Sequence, residues 1–135
     1  SRDDNFDFLK NKIPNKLDII YLDSLHEAKH VEKIFYYYFN FLKIEGIFFI
    51  DDISWLPYLK NGERDNFYCE VNNKETFDKI LETYNFNQEK FDIFFTFISS
   101  GMCKIVKKQN FLNMNKKFFS REFSLKNLIR KTLKR

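Results

Sequence analysis

The chain contains two apolar runs separated by a helical pattern: LDIIYLD at residues 17–23 and IFFIDD at residues 47–52. Runs of this length with few charges are typical of β-strands that are buried on both faces. Between them, over residues 27–43, apolar side chains recur at helical spacing, at Val31, Ile34, Phe35, Tyr38, Phe41 and Leu42. Parallel neighbouring strands require a connection of about this length, usually a helix. The segment therefore predicts a strand–helix–strand unit with a parallel pair of strands.

Further elements are predicted on both sides of this unit. In chain order they are a short helix at residues 6–10, a helix at 74–84, strands at 91–98 and 102–106, and a final helix at 125–133. The turn Ser99-Ser100-Gly101 between the last two strands is a hairpin signal. We therefore expect an α/β fold in which parallel strands are followed by a carboxyl-terminal antiparallel hairpin.

The size and composition fit one globular domain. With 135 residues, of which 44% are hydrophobic and 31% charged, the chain can bury one core without disulfides or metals as staples. Its two cysteines, Cys69 and Cys103, are too few for a disulfide scaffold. The longest uncharged run, residues 34–42, is about half of what a membrane span requires, and the chain begins with no apolar leader. We expect a cytoplasmic protein without a membrane span.

Charge is distributed unevenly along the chain. Residues 104–135 contain 11 Lys and Arg and one acidic residue, Glu122, whereas residues 1–103 contain 12 basic and 18 acidic residues. We divide the chain into an α/β domain at residues 1–108 and a basic, partly helical tail at residues 109–135. Aromatic residues among the tail's cations could bind nucleic acid. Codon bias also enriches lysine, so we favour a tail that packs its aromatics and solvates its lysines.

Aspartates end both strands of the predicted parallel pair. Asp23 follows the first strand, and Asp51 and Asp52 follow the second. Because ligands of open parallel sheets bind beyond the carboxyl ends of the strands, we expect these carboxylates to form a ligand or metal site. Helix N-capping is the alternative role for an aspartate at such a position.

A zinc-peptidase pattern is also present. His26-Glu27-Ala28-Lys29-His30 matches H-E-x-x-H, in which two histidines one helical turn apart bind zinc. The match lies at the start of a helix rather than inside an apolar one, and Lys29 would place a cation beside the metal. We interpret it as a chance match and keep a zinc hydrolase as a lesser alternative.

The segment as a whole resembles the fourth-strand to fifth-strand part of class I S-adenosylmethionine-dependent methyltransferases. The resemblance lies in the strand ending at Asp23, His26 three residues later, the amphipathic helix, the loop Leu42-Lys43-Ile44-Glu45-Gly46, and the strand ending in Asp51-Asp52. The pattern is most similar to metal-dependent O-methyltransferases of the catechol, macrocin and cephalosporin-cluster groups. Ser1-Arg2-Asp3 resembles the S-x-D after their third strand, and the closing hairpin resembles their sixth and seventh strands.

The resemblance implies a Rossmann-like sheet and methyl transfer to the hydroxyl of a small molecule. It implies that Asp23, Asp51 and Asp52 bind Mg²⁺ or another divalent cation, as hard oxygen ligands do. Asp23 and His26 are the implied catalytic residues, with Asp23 as proton acceptor and His26 assisting.

The resemblance also implies residues that bind the cofactor and the substrate. Ser1, Arg2 and Asp23 match positions near the S-adenosylmethionine. His26 and Trp55 are the implied substrate contacts, although a core position for Trp55 and a helix-start position for His26 are the alternatives.

The resemblance covers residues 1–108. The family's Gly-rich loop and the acidic residue that holds the ribose have no counterpart in this sequence. We therefore expect the carboxyl-terminal half of a methyltransferase domain. Its first strand would expose an unpaired edge, which predicts association with another chain, including a second copy as a homo-oligomer. A non-catalytic association module of the same fold is the alternative function.

Overall fold

The computed structural model describes residues 3–6, 12–13, 16–55, 59–60, 63–64 and 67–113. Within these ranges the elements are β1 (Leu17–Leu22), α1 (Ala28–Phe39), β2 (Leu42–Asp51), β3 (Leu59–Lys60), β4 (Glu63–Arg64), α2 (Phe67–Asn85), β5 (Phe91–Thr96) and β6 (Met102–Lys107). The final helix predicted at residues 125–133 and most of the short helix predicted at 6–10 lie outside the described residues.

The four long strands form one mixed sheet in the order β1-β2-β6-β5. β1 and β2 are parallel, whereas β6 runs antiparallel to both of its neighbours, β2 and β5. β3 and β4 form a separate two-stranded pair that the sequence did not predict. The α/β fold with a parallel pair and a closing antiparallel hairpin is confirmed.

The boundary between α1 and β2 differs from the prediction. The hydrophobic pattern predicts a helix to residue 43 and a strand from residue 47, but the helix ends at Phe39 and the strand begins at Leu42. Leu42 is fully buried, and burial alone does not separate a helix from a strand. The adjacent strand sets the boundary, because the N–H of Leu17 donates to the carbonyl of Phe41 and Leu42 pairs with Leu17.

α2 is longer than the predicted helix at residues 74–84 and begins at Phe67. The Asn73 side-chain amide donates to the carbonyl of Ser54 at 2.8 Å, in a buried position. This bond ties the amino-terminal part of α2 to the loop after β2.

The core lies between one face of the sheet and the two helices. Phe35 of α1 makes edge-on contacts with Phe39, Phe48 and Phe91 at ring-centroid distances of 5.4, 5.3 and 5.5 Å, and all four rings are buried. Aromatic pairs of this kind add about 0.5–1.5 kcal/mol each beyond the area that they bury. Cys103 of β6 also lies in this core, where burial raises the pKa of its thiol far above the ordinary range and keeps it protonated.

Lys107 of β6 is a buried cation at the end of α1. Its Nζ donates to the carbonyls of Phe39 and Leu42 at 2.8 and 2.7 Å and lies 4.8 Å from the centroid of the Phe39 ring. Burial and the charge of Lys16 lower the pKa of Lys107 to about 8. Carbonyls at a helix end lack intrahelical partners. Lys107 supplies donors to this chain reversal and ties the end of α1 to the sheet.

Three consecutive tyrosines of α1 hold segments from both ends of the described chain. The hydroxyl of Tyr36 donates to the carbonyl of Asn113, that of Tyr37 to the carbonyl of Phe6, and that of Tyr38 to the carbonyl of Asp3. The Phe6 ring also stacks on Tyr37 at a centroid distance of 3.9 Å. Tyr36, Tyr37 and Tyr38 thus attach other segments of the chain to α1.

The opposite face of the sheet carries exposed apolar side chains. Ile19, Tyr21 and Phe94 on this open face are 61%, 52% and 55% exposed. Among the described residues, no strand pairs with the outer edge of β1. No helix in the described ranges has both the length and the apolar character to cross a bilayer.

Stability should depend on pH through Glu32 of α1, which faces Lys79 and Glu82 of α2. Burial, with the charge of Glu82, raises the pKa of Glu32 to about 6 from an ordinary 4.5, although Lys79 opposes the shift. Folding therefore favours the protonated acid, and this contribution is present below pH 4.5 and lost as the pH rises through 6. We expect Glu32→Gln to raise the free energy of unfolding by roughly 1–2 kcal/mol at pH 7 and by much less at pH 4.

Urea denaturation at the two pH values tests this expectation. Glu89→Gln, in the exposed turn after α2, is the control and should change stability by less than about 0.5 kcal/mol at either pH. An equal effect of Glu32→Gln at pH 4 and pH 7 would contradict the assignment.

Candidate functional site

The parallel pairing of β1 with β2 creates one polar edge of the sheet. Leu22 pairs with Ile50, so Asp23 and Asp51 follow the same pair of residues on neighbouring strands. The loop from Asp23 into α1 and the loop that leaves β2 therefore begin side by side. This is the edge at which open parallel sheets bind ligands.

Three side chains converge at this edge: Asp23, His26 and Asp52. The Nε2 atom of His26 lies 3.0 Å from Oδ2 of Asp52 and 3.9 Å from Oδ1 of Asp23. One ligand atom from each residue lies within 4.8 Å of the others, and within the described ranges this is the group of acidic, His or Cys side chains placed to hold a metal ion. Asp23 is the most accessible, with a side chain 59% exposed, against 39% for His26 and 30% for Asp52.

The carboxylate of Asp51, at the same edge, accepts hydrogen bonds on both of its oxygens. Oδ1 accepts from the backbone N–H of Asp52 at 2.8 Å and from the hydroxyl of Ser100 at 3.2 Å, and Oδ2 accepts from the hydroxyl of Tyr21. Burial acts to raise the pKa of Asp51, but these hydrogen bonds prevail and lower it below the ordinary value. The same bond to Asp51 raises the pKa of Tyr21 to about 12.

The hairpin between β5 and β6 supports the loop that carries Asp52. The backbone of Asp52 is left-handed, with φ of 55°, and the N–H of Ser54 donates to the carbonyl of Ser100 at 2.7 Å. Gly101 packs against Ser54 so closely that a Cβ there would lie 2.6 Å from the Ser54 Cβ. The hairpin thus holds this loop at Ser54, two residues after Asp52.

The structure separates the two histidines of the H-E-x-x-H match. Glu27 is the N-cap of α1 with extended backbone, so His26 precedes the helix and the two rings do not share a helical face. His30 is buried, and its Nε2 lies 3.0 Å from Oδ2 of Asp3. The geometry that a zinc peptidase requires is thus not formed by His26 and His30.

Trp55, proposed from the sequence as a substrate contact, packs on neighbouring aromatic rings. Its ring lies 4.5 Å from that of Phe77 and 5.3 Å from that of Phe97, with Nζ of Lys74 at 4.8 Å from its centroid. Ser1 and Arg2, the implied cofactor contacts, lie outside the described residues.

Sequence reasoning missed the roles of Tyr21 and Ser100. Tyr21 lies within an apolar strand and Ser100 within a predicted turn. The sequence around each residue therefore explains it as part of the strand or the turn, without any contact to Asp51. The alternation of side chains along β1 places Tyr21 on the face opposite Leu22, which is the one signal that could have separated it from the core.

Comparison with solved structures finds methyltransferases. PaMTH1 of Podospora anserina, solved with SAH bound, matches at a TM-score of 0.53 and 16% identity, over 77% of this chain and 47% of that one. A proposed caffeoyl-CoA O-methyltransferase from Staphylococcus aureus matches at a TM-score of 0.50 and 19% identity, over 78% and 47% of the two chains. MycE, of the mycinamycin biosynthetic pathway, in complex with Mg, SAH and mycinamycin VI, matches at 0.51 and 18%, over 98% and 36%.

These matches identify the fold. The chain has part of a class I methyltransferase fold. It spans less than half of the length of each of the three proteins. No protein-family profile and no curated protein sequence matches it. The methyltransferase resemblance noted in the sequence is thereby confirmed at the level of the fold.

Gly101 should be intolerant of a side chain. An added Cβ would meet both the Cβ and the backbone N of Ser54, at 2.6 and 2.7 Å, and the φ of 77° disfavours any residue with a Cβ. We expect Gly101→Ala to lower the free energy of unfolding by at least about 2 kcal/mol, measured by chemical denaturation.

The control lies in the same turn. Ser99 already has a φ of 57°, so Ser99→Gly relieves strain and should not lower stability. Equal losses in the two variants would show that the turn is generally fragile and that the contact with Ser54 is unimportant.

Proposed function

We propose that this chain is part of an S-adenosylmethionine-dependent methyltransferase that methylates a hydroxyl group of a small molecule. The observation that carries the proposal is the convergence of Asp23, His26 and Asp52 beyond the ends of two parallel strands. The chain shares its fold with methyltransferases solved with SAH bound, and one of them also holds Mg and a small-molecule ligand.

The methyl donor of the proposed reaction is S-adenosylmethionine, whose sulfonium carries a transferable methyl group. Asp23 lies at the end of β1, where this fold class binds ligands. Ser1 and Arg2 remain the proposed contacts to the cofactor, as the resemblance implies.

The substrate hydroxyl must lose its proton as its oxygen takes the methyl group. Asp23 is the proposed proton acceptor because it is the most exposed carboxylate of the cluster. His26 assists from its position beside Asp52, with Nε2 3.0 Å from Oδ2, and Asp51 positions the Asp52 loop through its bond to the Asp52 N–H. Trp55 flanks the substrate in this proposal.

The donor set fits a divalent cation, since two carboxylates and an imidazole can all ligate one. Such an ion would orient the hydroxyl and lower its pKa. The proposed ion ligands are Asp23, His26 and Asp52. Asp51, which the resemblance also implies as a ligand, would have to give up bonds to Tyr21 and Ser100 to join them.

A second α/β unit is proposed to complete the cofactor site. The three solved methyltransferases are each more than twice as long as the part that this chain matches. The outer edge of β1 and the apolar open face, with Ile19 and Tyr21, provide a surface on which strands and helices of that unit can pack. We propose that this unit is the amino-terminal half of the methyltransferase domain.

A non-catalytic association module is the second candidate. The exposure of Ile19, Tyr21 and Phe94 on the open face favours it, because exposed apolar surface marks interaction sites. Such a module would use the open face to associate without binding a cofactor.

Calorimetric titration of S-adenosylmethionine separates these candidates. It would be done on this chain and on a version extended upstream, with and without a divalent cation. We expect binding by the extended chain only. Binding by neither, with both folded, would reject the methyltransferase and leave the association module. Tight binding by the short chain alone would contradict the need for a second unit.

Asp23→Asn tests the proton acceptor in the extended protein. We expect methyl transfer to fall by at least about 100-fold, because an amide cannot accept the proton. Asp18→Asn is the matched control, since Asp18 is an exposed aspartate at the other end of β1, paired with Lys43. It should leave the rate within about twofold. A similar loss in both variants would mean that β1 is perturbed as a strand.

A further inference from the structure

The converging donor set is not the one expected for a magnesium site. Magnesium favours oxygen ligands in near-octahedral geometry, which three aspartates could supply. In the structure the third member is an imidazole nitrogen, because Asp51 is turned toward Tyr21 and Ser100. Asp23 and Asp52 remain as the two oxygen donors.

We propose that Asp23, His26 and Asp52 bind a divalent transition-metal ion of the Mn²⁺-to-Zn²⁺ series, with Nε2 of His26 as a direct ligand, in preference to Mg²⁺. Imidazole nitrogen suits these ions, and a mixed nitrogen and carboxylate set is typical of them. This ion class rests on the proposed function, because it concerns the same three side chains. Ion binding can nevertheless be measured without S-adenosylmethionine.

The separations of the donor atoms support a shared ion. Ligand atoms held about 2.0–2.2 Å from one ion lie roughly 3.0–3.5 Å apart when they are adjacent in its coordination sphere. His26 Nε2 is 3.0 Å from Asp52 and 3.9 Å from Asp23, and all three ligand atoms lie within 4.8 Å of one another, so side-chain rotations can bring them to these separations. Both Asp23 and His26 lie in the loop that precedes α1, where the side chains are partly exposed and can adjust.

A second layer of contacts holds Asp52 in place. Asp51 accepts the Asp52 N–H at 2.8 Å and is itself held by Tyr21 and Ser100. Such outer contacts orient ligands and raise the affinity of metal sites. Asp51 is therefore a positioning residue in this proposal.

The proposal also assigns the proton acceptor. A nitrogen that ligates a metal ion has no lone pair left to accept a proton. With Nε2 of His26 in that position, Asp23 is the group of this cluster that takes the proton from the substrate hydroxyl.

Equilibrium dialysis of the full chain against Co²⁺ and against Mg²⁺ tests the ion class. We expect Co²⁺ to bind at least about 10-fold more tightly than Mg²⁺. Because Co²⁺ binds most sites more tightly than Mg²⁺, the test of a His26 ligand is a variant. His26→Gln should weaken Co²⁺ binding by about 10-fold or more and change Mg²⁺ binding by less than about threefold. Glu27→Gln, an exposed change at the next residue, is the control and should leave both affinities unchanged.

A spectroscopic readout on the unaltered chain keeps the test independent of any variant's folding. Pulsed electron paramagnetic resonance of bound Mn²⁺ should show coupling to a directly bound ¹⁴N nucleus, and the coupling should disappear in His26→Gln. Mn²⁺ bound without nitrogen coupling, equal effects of His26→Gln on Co²⁺ and Mg²⁺, or no binding of Co²⁺ would each overturn the proposal.

The metal site and the proposed methyltransferase function can fail independently. Nitrogen-ligated Mn²⁺ in a protein that fails to bind S-adenosylmethionine even when extended would uphold this site and reject the methyltransferase. Cofactor binding and methyl transfer with an all-oxygen Mg²⁺ site would do the reverse.

Discussion

The structure depends on the parallel pairing of β1 with β2 across α1. This one crossover brings Leu22 beside Ile50 and so places Asp23 next to the Asp51-Asp52 turn. A shift of one residue would turn the apolar side chains of β1 to the opposite face of the sheet. It would also separate the carboxylates. The register is held by burial, because Leu22 and Ile50 both point into the core.

The aromatic core and the polar edge lie at different ends of the same sheet. Phe35 packs on Phe39, Phe48 and Phe91 near the end of α1, and Lys107 satisfies the carbonyls where the chain reverses. That end combines the buried aromatic rings with the buried Lys107. At the opposite end the carboxylates of Asp23 and Asp52 are partly exposed to water, and a ligand can replace that water.

The hairpin between β5 and β6 distinguishes Asp51 from Asp52 at the acidic edge. Ser100 and Gly101 contact the loop after β2, and Tyr21 reaches Asp51 from the open face of the sheet. With Asp51 held, Asp52 is the aspartate that turns toward His26. The open face beside Tyr21 remains apolar and exposed, so the same strand that builds the polar edge also offers a surface to a second folded unit.

Hydrophobic periodicity in the sequence by itself determined the order along the chain of α1, α2 and the four long strands, the parallel pair and the position of the aspartates at its edge. These depend on local side-chain spacing and on the helical connection between the two parallel strands. Tertiary structure alone decided that α1 ends at Phe39, that Asp51 turns to Tyr21 and Ser100, and that His26 joins the cluster. These features depend on contacts between residues far apart in the chain, such as those of Asp51 with Tyr21 and with Ser100, which lie 30 and 49 positions from it. No local pattern encodes the direction in which such a side chain will turn.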